Sequence, residues 1–145
     1  MSFSQNAERI ETVKKPRLLD SHAALVYLKG EKGHEKVKVA LADAEKSETP
    51  LLMSEINLGE VGYIILRAGL TNNLDDFLSQ FLSLPIRPVA VNFDLIIEAA
   101  HIKARYPLSY ADAFAVAVAL RNDATIITGD PEFKAVTDLV RMEWL

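Results

Sequence analysis

Residues 108–133 read LSYADAFAVAVALRNDATIITGDPEF. From Ser109 to about Asn122 the stretch is alanine, valine, leucine and aromatic on every side, so a helix here is apolar all round and has to be covered on all its faces. The uncharged strand ATIIT follows, then Gly129, Asp130 and Pro131, which open a short helix. A buried helix feeding a short, uncharged strand is the signature of a parallel sheet with helices packed on it. Within that helix sits Asp112, an ionisable group that costs several kcal/mol to bury unless it protonates or finds a cation.

Working outward, the same alternation recurs. RLLD (17–20) predicts a strand ending at Asp20, and SHAALVYLKG (21–30) a helix closed by Gly30. GHEKVKVALADAEK (33–46) repeats apolar residues at helical spacing. TPLLMS (49–54) is a second strand, with Ser54 capping a helix over EINLGEVGYIILRAGL (55–70). TNNLDDFLSQFLSL (71–84) has polar capping residues and acids in its first turn. PIRPVAV (85–91) is a third strand whose prolines place it at a sheet edge. NFDLIIEAAHIKARYP (92–107) is a helix capped by Asn92 and stopped before Pro107, and a last strand lies near LVRMEWL. The expected class is α/β: three layers, with a central, mostly parallel sheet of about five strands and helices on both faces. Residues 1–15 are polar and unpatterned, an expected flexible arm, and 16–145 form one domain.

The 145 residues are half hydrophobic, enough for one ordinary core, and include no cysteine, which excludes a disulfide framework and thiolate metal sites. No apolar run approaches a membrane span and no signal-peptide core is visible, so a soluble, cytoplasmic protein is expected. With 20 acids against 16 bases, the net charge of −4 does not suggest a nucleic-acid binder held by a basic surface.

Four acids fall where a parallel sheet gathers ligands, at the carboxyl ends of strands. Asp20 closes the first strand and Asp130 follows the fourth. Glu60 lies in the second turn of the helix after the second strand, and Asp112 in the first turn of its own helix. Each has an ordinary use as well: Asp20 as a turn residue, Glu60 on a solvated face, Asp112 in a capping box with Ser109, Asp130 as an N-cap before proline. Glu60 is flanked four residues away by Ile56 and Ile64, which argues against a surface position. Four converging carboxylates with few bases nearby suit a hard divalent cation, Mg²⁺ or Mn²⁺.

The set LLDSHAAL, SEINLGEVGYIILR, LSYADAFAVAVAL and ATIITGDPEF resembles, in order and spacing, the motifs of PIN-domain nucleases. It is most similar to the VapC-type toxins of toxin–antitoxin pairs. The resemblance implies that Asp20, Glu60, Asp112 and Asp130 bind one or two Mg²⁺ or Mn²⁺ ions. It implies also that Ser21, Asn57, Ser109 and Thr128 occupy supporting polar positions. The implied activity is metal-dependent hydrolysis of phosphodiester bonds in single-stranded or structured RNA, leaving 5′-phosphate and 3′-hydroxyl ends. The implied partners are a cognate antitoxin and a second copy in a homodimer. His22 departs from the family pattern and leaves three uses open: an RNA phosphate contact, an extra ligand, or pocket lining, the last preferred.

With the four acids set aside, the remaining charges balance at 16 against 16. Arg17, Lys29, Lys32, Lys103, Arg105 and Lys134 are the candidate RNA-backbone contacts. His34 and His101 read as surface residues. A non-catalytic RNA- or protein-binding module and a non-toxin RNA-processing nuclease are the alternatives. A dehalogenase-type phosphatase needs an acid where His22 stands, a receiver domain needs an acid pair and a late lysine, and a serine hydrolase needs a nucleophile elbow; none of these is present.

Overall fold

The first strand, β1 (Arg17–Leu19), is the centre of the fold. It pairs in parallel with β2 (Leu51–Ser54) on one side and with β4 (Thr125–Thr128) on the other, Leu18 facing Leu52 and Ile126 in register. β3 (Ile86–Val89) lies beyond β2, and β5 (Met142–Trp144) beyond β4, giving the order β3-β2-β1-β4-β5 with every pairing parallel. This computed structural model describes residues 15–145, and the expected arm over 1–15 falls, but for Lys15, outside them.

Alternate residues of the strands face opposite layers, as a pleated sheet requires. Leu18, Leu52 and Ile126 pack with α5 (Phe93–Arg105) and α6 (Tyr110–Asn122). Leu19, Leu51, Met53 and Ile127 face the other way, onto α1 (Ser21–Lys29), α2 (His34–Ser47), α3 (Glu55–Arg67) and Phe81 of α4 (Leu74–Phe81). The three layers expected from the sequence are thus present. Helix α6 is buried without a break from Asp112 to Ala119, as its composition requires. The proline-bearing strand β3 is an edge strand, with Pro88 opposite Met53.

The short helix expected from Pro131 is present as a six-residue 3₁₀ turn, Pro131–Val136, closed at its start by a bond from Phe133 N to Asp130 O at 3.2 Å. The Asp130 side chain also accepts from Glu132 N, two residues on, and this tightens the first turn.

Strand order reverses direction between β1 and β4, the two strands that meet at the centre. In open α/β sheets the crevice at such a reversal, beyond the carboxyl ends of the strands, is where ligands bind. Asp20 and Asp130 stand at that end.

Candidate active site

Asp20 caps α1 from the end of β1. One carboxylate oxygen accepts from Ala23 N at 2.8 Å and the other from the Thr128 hydroxyl at the end of β4. It is fully buried, and burial pushes its carboxyl up to about 7. The hydrogen bonds from Thr128 and Ala23 pull the other way, and the charges of Asp112 and Asp130 add to the rise. Asp112, in the first turn of α6, is likewise raised to about 7, first by burial and then by Asp130, Glu132 and Glu60, against hydrogen bonding from the Ser109 side chain.

Glu60 from α3, Asp112 from α6, and Asp130 and Glu132 from the turn after β4 line one pocket of about 230 Å³. Ser21, His22, Leu25, Ile64 and Ser109 complete its wall. Carboxylate oxygens of Asp112, Asp130 and Glu132 lie within 4.8 Å of one another. No lysine or arginine contributes to the lining among the described residues. Asp20 is outside the lining but near enough to Asp112 and Asp130 for their charges to act on it. The donor set, all carboxylate oxygen and gathered without a basic partner, fits a hard divalent cation.

Three of the four expected acids, Glu60, Asp112 and Asp130, therefore line one pocket, and the tight trio includes Glu132, which the sequence reading did not single out. The signal available was an acid two residues after Asp130, in the same turn. Asp130 is an N-cap and lines the pocket as well, so its two readings are compatible. Glu60 is half-buried on the pocket wall. Ile56, however, is 37% exposed, so the flanking isoleucines are not what turns Glu60 inward. Arg17 is not placed as a backbone contact for RNA. It begins β1, at the opposite end of the sheet, and is held by Glu143 and Asp43.

The supporting polar residues join the acid-bearing helices. Asn57, fully buried on α3, donates to Ser21 Oγ on α1 at 3.0 Å and to Ala111 O on α6 at 3.2 Å. Its Oδ1 is buried without a hydrogen-bond partner among the described residues. Ser109 caps α6 by accepting from Asp112 N at 3.2 Å. Asn57→Ala is expected to cost about 1–3 kcal/mol, because a buried and a half-buried partner on different elements lose their donor. Urea denaturation measures it, and an unchanged midpoint would show that Asn57 does not tie these helices together. His22 is exposed and lies against Gly129, where a Cβ would fall 2.8 Å from its Cε1; it lines the pocket.

The PIN domain family model matches residues 17–139, which spans every element that carries these side chains. The chain belongs to the PIN domain family. Solved structures with the PIN-like fold of this chain include VapBC complexes from several bacteria. The DNA-bound complex from Salmonella typhimurium contains a chain 16% identical, with a TM-score of 0.69 and coverage of 90% of this chain and 98% of that one. VapBC2 from Rickettsia felis, bound to a promoter fragment, gives 16% identity, a TM-score of 0.67, and coverage of 89% and 98%. VapC20 of Mycobacterium tuberculosis, a toxin that cleaves the sarcin–ricin loop, is 22% identical at a TM-score of 0.64, with coverage of 82% and 93%. No curated protein matches this PIN domain in sequence.

Proposed function

We propose that this PIN domain is a divalent-metal-dependent endoribonuclease and the toxin of a toxin–antitoxin pair. The observation that carries the reading is the convergence of Glu60, Asp112, Asp130 and Glu132 in one pocket with no lysine or arginine in its lining among the described residues. Family membership and the likeness to VapBC chains support it. Asp20, Glu60, Asp112 and Asp130 would hold Mg²⁺ or Mn²⁺, one or two ions. Such ions, when bound, lower the pKa of water toward neutrality and stabilise the charge developing on a phosphodiester under attack.

The chain's own residues do the placing. Thr128 holds one Asp20 oxygen and Ala23 N the other, so this carboxylate has a fixed orientation. Asn57 fixes α3 against α1 and α6, and with them the separation of Glu60, Asp20 and Asp112. No side chain in the pocket needs to act as nucleophile. A negative pocket repels RNA phosphate, so metal-free protein should bind RNA poorly.

The substrate class in this reading is single-stranded or structured RNA, and the likeness to a toxin that cleaves the sarcin–ricin loop supports it. An antitoxin partner is supported by relatives solved in toxin–antitoxin complexes, and a homodimer is part of the same reading. Purified protein, freed of any partner, incubated with end-labelled RNAs in Mn²⁺ or Mg²⁺ is expected to cut internally, and EDTA to stop it. Intact RNA across the panel, together with no calorimetric Mn²⁺ binding, would overturn the nuclease reading.

A further inference from the structure

We infer that Glu132 is a positioning residue, whose carboxylate clamps the Ser109 backbone amide and thereby leaves the Asp112 carboxylate turned to the pocket. The inference rests on the reading of that pocket as a divalent-cation site.

The first amides of a helix have no partner within it, and a capping box satisfies two of them reciprocally. The N-cap hydroxyl accepts from the amide three residues on, and the acid at that position reaches back to the N-cap amide. Ser109 and Asp112 have the spacing for both halves. Only the first is made between them, Asp112 N donating to Ser109 Oγ at 3.2 Å. The second half comes from another part of the chain: Ser109 N donates to Glu132 Oε1. With its return bond supplied by Glu132, Asp112 is not drawn back onto the backbone of its own helix.

Glu132 is itself held in place. Its amide donates to Asp130 Oδ1 at 2.9 Å, Asp130 N donates to Thr128 Oγ1 at 3.0 Å, and the Thr128 hydroxyl donates to Asp20. One continuous run of bonds thus goes from Asp20 through Thr128, Asp130, Glu132 and Ser109 to Asp112. Its ends are the two most deeply placed acids, on strands and helices far apart in sequence. Groups that orient ligands in this way typically change metal affinity about 10–100-fold when removed.

Glu132 is also close enough to Asp112 and Asp130 to be a ligand itself, and E132Q separates the roles. Glutamine keeps an oxygen that can accept from Ser109 N but gives up the charge that a cation site draws on. Mn²⁺ affinity by calorimetry is expected to fall about 10–100-fold in E132A and to be largely restored in E132Q. Loss in E132Q as deep as in E132A would overturn the clamp and make Glu132 a ligand. Unchanged affinity in E132A would overturn it as well. Amide exchange of Ser109, read by NMR in metal-free protein, gives a second measure that does not depend on metal. Protection in wild type and E132Q with loss in E132A is expected, and protection that survives in E132A would refute the clamp. Wild-type protein that binds no Mn²⁺ while Ser109 follows this pattern would sink the metal-site reading and leave the clamp standing.

Discussion

Asp112→Asn is expected to abolish metal-dependent RNA cleavage while making the metal-free protein more stable. The two effects have one origin. Asp112 is buried, and Asp130, Glu132 and Glu60 all raise its carboxyl further, so its ionised form destabilises the empty fold. Asparagine has nearly the same shape, leaves the Ser109 Oγ bond to residue 112's amide in place, and carries no charge. The gain at neutral pH should be about 1–2 kcal/mol, short of the whole shift because the carboxylate lines an open pocket rather than the closed core. The loss of activity should be at least about 100-fold, since several kcal/mol of transition-state stabilisation depend on a correctly held cation. Single-turnover cleavage of a labelled RNA and urea denaturation in EDTA measure the two sides. Wild-type cleavage rates in the variant would remove Asp112 from the site, and a variant less stable than wild type would show that its carboxylate is satisfied within the fold.

The legible and illegible parts of this protein divide along physical lines. The apolar run from Ala111 to Leu120 could only be a covered helix, and the uncharged strand after it could only be internal, so the layered parallel sheet followed. Asp20 and Asp130 were placed because strand ends are marked by local sequence. Asp112 was placed because burial leaves a carboxylate few options. Glu132 was not, because it takes part through a bond from Ser109 N, 23 residues away in the chain, which local sequence does not mark. Arg17 lies away from the pocket, and this too was illegible: the end of the sheet it occupies follows from topology, and its partners Asp43 and Glu143 are 26 or more residues away in the chain. Glu60 lines the pocket, although one of the isoleucines expected to bury it is open to solvent.

In EDTA the protein should lose stability as pH rises from about 4 to about 7, and Mn²⁺ should reverse this at the upper end. Asp20 and Asp112 have ordinary values of 3.8 and are raised to about 7 in the fold, chiefly by burial. Between those values the folded chain binds more protons than the unfolded chain, so stability is full below about 4 and drains away as the pH climbs through 7. Each unit of elevation corresponds to about 1.4 kcal/mol once the group must ionise. Asp123, lowered by Arg141 and Lys15, has the opposite sign, and its contribution is lost only at still lower pH. A cation competes with protons for the same oxygens, so its stabilisation should be small at pH 5 and large at pH 8. At a concentration 100 times its dissociation constant, Mn²⁺ adds about 2.7 kcal/mol, or roughly 5–10 °C in melting temperature for a domain of this size. Melting curves in EDTA and in Mn²⁺ across this range test both parts. A curve in EDTA that is flat or rises toward pH 8 would mean that these acids already have partners in the fold. A Mn²⁺ shift as large at pH 5 as at pH 8 would place the ion away from Asp20 and Asp112. Asp112→Asn should flatten the EDTA slope, because it removes one of the two groups that produce it.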